Sequence, residues 1–199
     1  MPEEGRRLRE YTQSLPHGLA SYPECQTKTT VALNALADVD PRELAEGAPE
    51  ELAELILNPP PMGVWMPATH SDAIFHLICD RYYPTEERMM EWCYERTKAA
   101  AKNPFYAAIL RVSGPRMFYA MSARTHGLFQ RGTYIELLAN TGKRVSFRMT
   151  FPPRLHNRFN LLSNVPLFRG AAELTGGENV TSRLLKYTET SANYECAWT

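Results

Sequence analysis

The feature that most constrains the fold of this chain is a change in the spacing of its apolar residues after Gly132. Between residues 144 and 151 apolar and polar side chains alternate without a break. The apolar positions are Val145, Phe147, Met149 and Phe151, and the polar ones are Arg144, Ser146, Arg148 and Thr150. Such alternation is typical of a strand with one buried and one wet face. An extended run over residues 133–139 precedes it across a short turn, so the two runs predict a β-hairpin.

The first half of the chain is predicted to be helical. Pro84-Thr85-Glu86-Glu87 is typical of a helix start, because proline suits the first turn and acids face the positive end of the helix dipole. Apolar residues at helical spacing predict a helix over residues 67–83. Further predicted elements are helices over residues 25–37, 105–112 and 165–175 and strands over residues 180–187 and 194–198.

This order of elements predicts an α+β fold. A helical N-terminal half should pack on a four-stranded antiparallel sheet in the C-terminal half, built as hairpin, helix, hairpin. Residues 1–24 are charged and interrupted by Pro and Gly, so we expect a flexible or loosely packed arm there. Residues 25–199 are then a single α+β domain.

Composition narrows the class of protein. With 199 residues, 44% of them hydrophobic and 22% charged, the chain suits one globular domain. No apolar run approaches the ~20 residues that span a bilayer, and the start lacks a secretory signal pattern, so we expect a cytoplasmic protein. The cysteines are scattered, without the spacing of metal ligands, so we predict neither a metal site nor a cofactor. They are Cys25, Cys79, Cys93 and Cys196.

The charges are distributed unevenly although the net charge is zero. Residues 1–110 carry 17 acids against 10 bases, whereas residues 111–169 carry 10 bases against the single acid Glu136. Two interpretations are open. Acidic helices such as 43–54 or 86–95 could cover the basic sheet, which we favour because a domain neutral overall tends to neutralise itself. Alternatively, the arginines are available to an outside anion. Nucleic acid is disfavoured, since no recognised binding motif accompanies the charge.

The hairpin supplies the candidate ligand-binding residues. Arg144 and Arg148 point to the same side of a strand, and guanidinium groups suit phosphate or carboxylate. Together with Arg124 they would hold an anionic head, while Tyr134, Phe147 and Trp65 would line an apolar part. Because Phe147 faces away from both arginines on the strand, such a pocket must wrap a sheet edge.

No catalytic signature is present in the sequence. No serine lies in a G-x-S-x-G context, so a hydrolase triad is unsupported. His126 and His156 flank the hairpin and could meet in space. Either could serve as a base if the fold brought it to a carboxylate. We name no catalytic residue and expect the chain not to be an enzyme.

A set of landmarks over residues 25–198 resembles a family of uncharacterised, multiply paralogous proteins of myxobacteria. The landmarks are Tyr83-Pro84, Ser113-Gly114-Pro115-Arg116, Gly132-Thr133-Tyr134, Gly170 and Tyr194-x-x-x-Trp198. The layout is also similar to vinyl-reductase-type domains and TRAPP-type subunits. That resemblance implies helices against an antiparallel sheet with an apolar or acyl ligand between the layers, but no activity.

Three hypotheses for function follow. The first is a non-enzymatic binding or sensor module, regulatory in role, for an apolar or anionic small molecule held between helices and sheet. The second is a protein-interaction module that dimerises or docks on a protein partner through a sheet edge or helical face. The third is an enzyme acting on a small anionic substrate through His126 or His156.

Overall fold

The helical part of the molecule comes first in the chain. The structure, a computed structural model, describes residues 5–100 and 114–199. The helices of the first half are α1 (Arg6–Ser14), α2 (Thr29–Leu36), α3 (Pro41–Ala45), α4 (Glu50–Leu57), α5 (Ala68–Tyr82) and α6 (Glu86–Ala100). Helix α3 begins as its sequence indicates: Pro41 occupies the first turn, and the Asp40 side chain accepts hydrogen bonds from the backbone N–H groups of Arg42 and Glu43.

The C-terminal half is built on a four-stranded antiparallel sheet, and the predicted α+β class is confirmed. Its strands are β4 (Tyr134–Thr141), β5 (Arg144–Thr150), β6 (Thr181–Tyr187) and β7 (Ser191–Ala197), in the spatial order β4-β5-β7-β6. Helices α7 (Pro115–Thr125) and α8 (Arg158–Leu174) pack on one face of this sheet. In β5 the residues Val145, Phe147 and Met149 are buried, as the alternation predicts.

A second, three-stranded antiparallel sheet was not predicted. It consists of β1 (Gln26–Lys28), β2 (Trp65–Pro67) and β3 (Gln130–Arg131) in the order β2-β1-β3. The helix predicted from residue 25 therefore begins only at Thr29, because residues 26–28 pair with two strands distant in sequence. This small sheet joins the helical half to the start of the C-terminal half.

Helix α8 is longer than its predicted range of 165–175. It begins after Asn157, whose side chain accepts a hydrogen bond from the backbone N–H of Asn160, and it contains Pro166. A proline inside a helix removes one backbone hydrogen bond but does not have to end it. The helix predicted over residues 105–112 lies outside the described residues.

The N-terminal segment is packed where the structure describes it. Within the predicted arm 1–24, α1 buries Leu8 and Tyr11 in the helical half, and the backbone N–H of Arg7 donates to the Asp80 carboxylate at 2.9 Å. Helix α1 is thus not loose. The division of the chain at residue 24 stays a prediction.

The interior of the molecule divides into two apolar clusters. One lies among α1–α6 and includes Ile74, Ile78 and Met89; the other lies between the four-stranded sheet and helices α7 and α8 and includes Phe147 and Tyr194. None of the described helices is long and apolar enough to cross a membrane.

Candidate functional site

The face of the four-stranded sheet that is turned away from α7 and α8 carries the polar residues of the alternating pattern. Strand register places Glu136, Arg148, Asn193 and Lys186 in one row across β4, β5, β7 and β6. The Arg148 Nε–H donates to Asn193 Oδ1 at 3.2 Å. Neighbouring strands lie ~4.8 Å apart, so the backbones of Arg148 and Lys186 are roughly 10 Å apart and their long side chains flank Asn193.

An open recess lies beside this row, and we call it the Arg148 recess. Its volume is about 460 Å³. It is lined by Arg148, Thr150, Phe151, Lys186, Tyr187, Thr188, Thr190, Ser191 and Asn193. Two cationic side chains therefore border a basin rich in hydroxyl groups. One of these hydroxyl groups is held in place by the protein, because Thr188 Oγ1 accepts hydrogen bonds from the backbone N–H groups of Thr190 and Ser191.

The cations of the recess are weakly neutralised by the protein. Arg148 Nη1 lies 4.0 Å from Glu136 Oε2, with side-chain exposures of 44% and 66%. Exposed pairs at this distance contribute little free energy, since water screens them. Lys186 has no ion-pair partner among the described residues. An outside anion would thus compete with solvent, with the Asn193 amide oxygen that accepts from Arg148 and with one distant carboxylate.

The other predicted ligand-binding residues divide between several places. Arg144 shares the outward face with Arg148 and lies 3.6 Å from Glu195, and Tyr134 pairs with Thr150 in the register and is 70% exposed. Phe147 is buried on the opposite face, with its ring centroid 4.4 Å from that of Phe168. The predicted combination of Phe147 with the two arginines in one pocket is therefore not formed, because the pleat separates them.

Trp65 and Arg124 lie away from the recess. Trp65 is on β2 of the small sheet, where Lys28 Nζ and Arg131 Cζ stand 4.0 Å and 3.9 Å from the centroid of its indole ring. These are cation–π contacts, in which the positive charges of Lys28 and Arg131 interact with the indole ring of Trp65 within the protein. Arg124 is in the last turn of α7 and exposed. The structure thus groups Arg144, Arg148 and Tyr134 on one face and leaves the other three elsewhere.

The basic middle segment is paired mostly within its own half. Its described ion pairs include Arg154–Glu189 at 2.7 Å and Arg169–Glu173 at 2.8 Å. Arg158 pairs with Glu86 of α6. Among the described residues, Glu86 is the acid that the N-terminal helices contribute to these pairs. The favoured interpretation, in which acidic helices of the first half cover the basic sheet, is therefore wrong for the outward face.

One predicted histidine does meet a carboxylate. His156, on the loop before α8, places Nδ1 2.7 Å from Asp72 Oδ2 on α5. The carboxylate accepts, so Nδ1–H donates, and the buried Nε2 has no partner among the described residues. An oriented imidazole of this kind is the geometry of a general base. The adjoining polar cavity measures only about 30 Å³, however, which admits a water-sized group and no substrate.

The second predicted histidine has a different environment. His126 Nε2 lies 2.9 Å from the hydroxyl of Thr133, not from a carboxylate, and burial lowers the pKa of its imidazole. Within the described part of the chain the structure therefore supplies a histidine–carboxylate pair without a substrate-sized cavity beside it.

The thiols are free in all four cysteines and shielded. Cys25, Cys79 and Cys196 are buried, and Cys93 is partly buried. Burial raises the pKa of the Cys25 thiol to about 11 and that of Cys93 to about 12. Such thiols stay protonated at neutral pH and are poor nucleophiles and metal ligands. The described residues contain no group of three or more His, Cys, Asp or Glu side chains placed to hold a metal ion.

Several residues of the recess were missed by the analysis of the sequence. Lys186, Ser191 and Asn193 are on β6 and β7, outside the basic segment that drew attention to the hairpin. The signal that could have found two of them is the alternation of β7, in which Ala192, Tyr194 and Cys196 are buried and Ser191 and Asn193 point outward. Strand order, which brings β7 beside β5, is not visible in the sequence.

Comparison with known proteins gives a fold but not a family. No family model matches the chain, and no curated protein matches it. Solved structures do. The Fe(II) unliganded H-NOX protein from K. algicida superposes with a TM-score of 0.61 at 8% identity, over 86% of this chain and 96% of that one. An oxygen-binding H-NOX domain related to soluble guanylate cyclases, in its oxygen complex, gives 0.61 at 9% identity over 85% and 92%.

A third structure, from a study of heme distortion in the H-NOX family, gives a TM-score of 0.60 at 8% identity over 85% of this chain and 92% of that one. At such identities the likeness shows the fold alone. The fold likeness raises the question whether this chain could hold heme. The described residues do not fit that group, because the layer between helices and sheet is filled with aromatic rings and the histidines are engaged or lack space.

Proposed function

We propose that this chain is a non-enzymatic binding or sensor module whose ligand is a small anion held at the Arg148 recess. The observation that carries the proposal is the placement of Arg148 and Lys186 on either side of Asn193, above a basin of hydroxyl groups. The planar guanidinium can grip a carboxylate or phosphate through two parallel hydrogen bonds. The volume of about 460 Å³ lies within the range of small-molecule sites.

The fold supports this proposal at a coarser level. The structural neighbours include an oxygen-binding H-NOX domain, so the same architecture is used elsewhere for holding a small ligand. Fold alone does not fix function, and the recess is a feature of this chain's own side chains. The regulatory role, the cytoplasmic location and the relationship to the myxobacterial and vinyl-reductase-type families belong to the same proposal and rest on the sequence.

A titration with defined anions tests the proposal. Isotope-labelled protein at low salt would be titrated with inorganic phosphate, citrate and succinate, and backbone amide shifts followed by NMR. We expect saturable shifts at residues 186–193 and 148–151. The double variant Arg148→Ala/Lys186→Ala should bind at least ~10-fold more weakly, because each charge-assisted hydrogen bond contributes roughly 1.5–3 kcal/mol.

The matched control for this titration is Arg183→Ala. Arg183 is exposed on the outward face of β6, pairs with Glu195 at 2.6 Å and does not line the recess. Its removal should leave the affinity within about twofold, since only the long-range field changes. No saturable shift with any of the three anions, or an unchanged affinity in the double variant, would reject the recess as the binding site.

A second function, docking on a protein partner or a second copy, is favoured by a separate observation. Apolar side chains next to the small sheet are exposed, among them Met62, Val64, Leu128 and Phe129. Clustered exposed apolar residues are typical of interaction surfaces. Pairing through the edges of the large sheet is disfavoured, because both edge strands carry an irregularity, at Leu137/Ala139 in β4 and Leu184/Lys186 in β6. Light scattering over a range of concentrations tests self-association.

A further inference from the structure

We infer that this chain uses the H-NOX type of fold without a heme site. The inference is independent of the Arg148 recess, and it rests on two requirements of heme binding: an apolar slot wide enough for a porphyrin and a side chain free to ligate the iron.

The layer between the four-stranded sheet and its helices offers no slot among the described residues. Phe168 of α8 meets the ring of Phe147 edge-on at 4.4 Å and that of Tyr194 at 5.2 Å. Tyr119 of α7 stacks on Phe147 at 6.2 Å and on Trp198 at 6.1 Å. These ring contacts are close-packed, so a porphyrin would have to displace the aromatic core of this half.

The fully buried histidine of α5 is equally enclosed. His76 is 0% exposed, and its ring centroid lies 4.8 Å from that of Tyr11 and 5.9 Å from those of Phe75 and Phe159. Its Nε2 is 2.8 Å from Asn160 Oδ1. Its Nδ1 has no partner among the described residues, but it is buried in this packing. Iron could reach that atom only if the surrounding rings moved apart.

The other histidines are engaged or exposed. Nε2 of His70 lies 3.5 Å from Glu51, and Nε2 of His126 contacts Thr133. Nδ1 of His156 contacts Asp72, and its Nε2, which has no partner among the described residues, is buried beside a cavity of only about 30 Å³, too small for a porphyrin. His17 is exposed beside a short 3-10 turn. Residues 101–113, which the structure does not describe, contain no His, Cys or Met. These residues therefore add no histidine, cysteine or methionine ligand.

Two open recesses among the described residues have linings that do not suit a porphyrin. The Arg148 recess is bordered by cations and hydroxyl groups. Another recess of about 490 Å³ is lined largely by charged side chains, including Arg6, Asp80, Glu86 and Arg158. Burying the apolar faces of a porphyrin against such groups would strip them of water without compensation. The fold likeness thus identifies the architecture, and the linings of these two recesses do not suit heme.

Titration with hemin and with iron-free protoporphyrin IX tests the two requirements of heme binding, the iron ligand and the apolar slot, separately. The purified full chain would be titrated with hemin and, in parallel, with iron-free protoporphyrin IX, and retention would be measured by transfer to apomyoglobin. The oxygen-binding H-NOX domain is the positive control. We expect no 1:1 complex with either compound and complete transfer of any hemin that adsorbs to the surface, whether or not Met117→Leu/Met121→Leu is introduced on the exposed face of α7.

Each contrary outcome would overturn the inference in its own way. A 1:1 hemin complex that resists transfer means that an axial ligand is available after all. A 1:1 complex with protoporphyrin means that an apolar slot opens between the layers. Both titrations are repeated with Arg148→Ala/Lys186→Ala, because the propionate groups of either porphyrin are anions that could bind at the Arg148 recess. Only a 1:1 complex that persists in this variant counts against the inference.

Discussion

His76 shows how burial at a single residue becomes a property of the whole protein. Loss of hydration in the core lowers the pKa of this imidazole, against smaller opposing effects of Asp72 and Asn160. The folded protein therefore holds His76 neutral at a pH where the unfolded chain, with a histidine pKa of ~6.5, takes up a proton. Stability is thus complete above that pH and falls as the pH drops below it.

The variant His76→Gln tests this linkage. The free energy of unfolding of the native protein should be lower at pH 5.5 than at pH 7.5. Below pH 6.5 it should fall by up to ~1.4 kcal/mol per pH unit, and part of this fall should be absent in the variant. Urea unfolding at the two pH values measures it. The variant is compared with itself across pH, so a general loss of stability does not matter. The exposed His17→Gln is the control, and an identical pH dependence in His76→Gln would refute the account.

At the scale of elements, the contact between α6 and α8 depends on a residue without a side chain. A Cβ placed on Gly170 would lie 2.9 Å from Thr97 Cγ2 and 3.2 Å from Thr97 Cβ. Glycine inside a helix ordinarily weakens it by roughly 0.5–1 kcal/mol relative to alanine. Here the close approach of the two helices makes glycine the better residue.

Gly170→Ala should therefore destabilise the protein, by about 1–3 kcal/mol, because a packed core cannot accept the added methyl group without strain. Thr97→Ser removes Cγ2 but keeps the hydroxyl that donates to the carbonyl of Cys93 at 2.8 Å. The double variant Thr97→Ser/Gly170→Ala should recover most of the loss in thermal or urea unfolding. Gly127→Ala, where a Cβ meets nothing within 4 Å, is the control. A stabilised Gly170→Ala would show that the helices are further apart.

An element could be predicted from the sequence only where its residue pattern is local. The alternation of residues 144–151 predicted the strand and the placement of Arg144 and Arg148 on the same side of it, because successive side chains of a strand point to opposite faces. The strands β1, β2 and β3 have only two or three residues each, too few for any period to show. The pairing of His156 with Asp72 joins positions 84 apart and left no local signal. The recess combines two hairpins and needed the strand order.

At the scale of the whole molecule, several hydrogen bonds link the helical half to the C-terminal half. The hydroxyl of Tyr11 donates to the carbonyl of Leu155 at 3.1 Å, and that of Tyr22 donates to Pro153 at 2.8 Å. His76 contacts Asn160 in the same region. The helical half is thus tied to the loop between β5 and α8 by directional bonds as well as by the packing of α6 on α8. Such a junction predicts that the two halves unfold together.

Tyr11→Phe should lower the free energy of unfolding by about 1–3 kcal/mol, since the buried carbonyl of Leu155 would lose its donor. Tyr134→Phe, at a 70% exposed position, should change it by less than about 0.5 kcal/mol. In both variants far-UV circular dichroism and tryptophan fluorescence should give coincident urea transitions. Separate transitions would mean that the two halves are independent units.

The placement of the shielded thiols has a practical consequence. Cys79 and Cys93 belong to the apolar cluster of the helical half, and Cys25 and Cys196 to that of the sheet half. The buried Cys79 of the helical half and the buried Cys25 and Cys196 of the sheet half react with an alkylating reagent only when the surrounding interior opens to solvent, whereas the partly buried Cys93 is easier to reach. Mass spectrometry of peptides after timed labelling would report the breathing of the two halves separately, in the native chain and without introducing any probe.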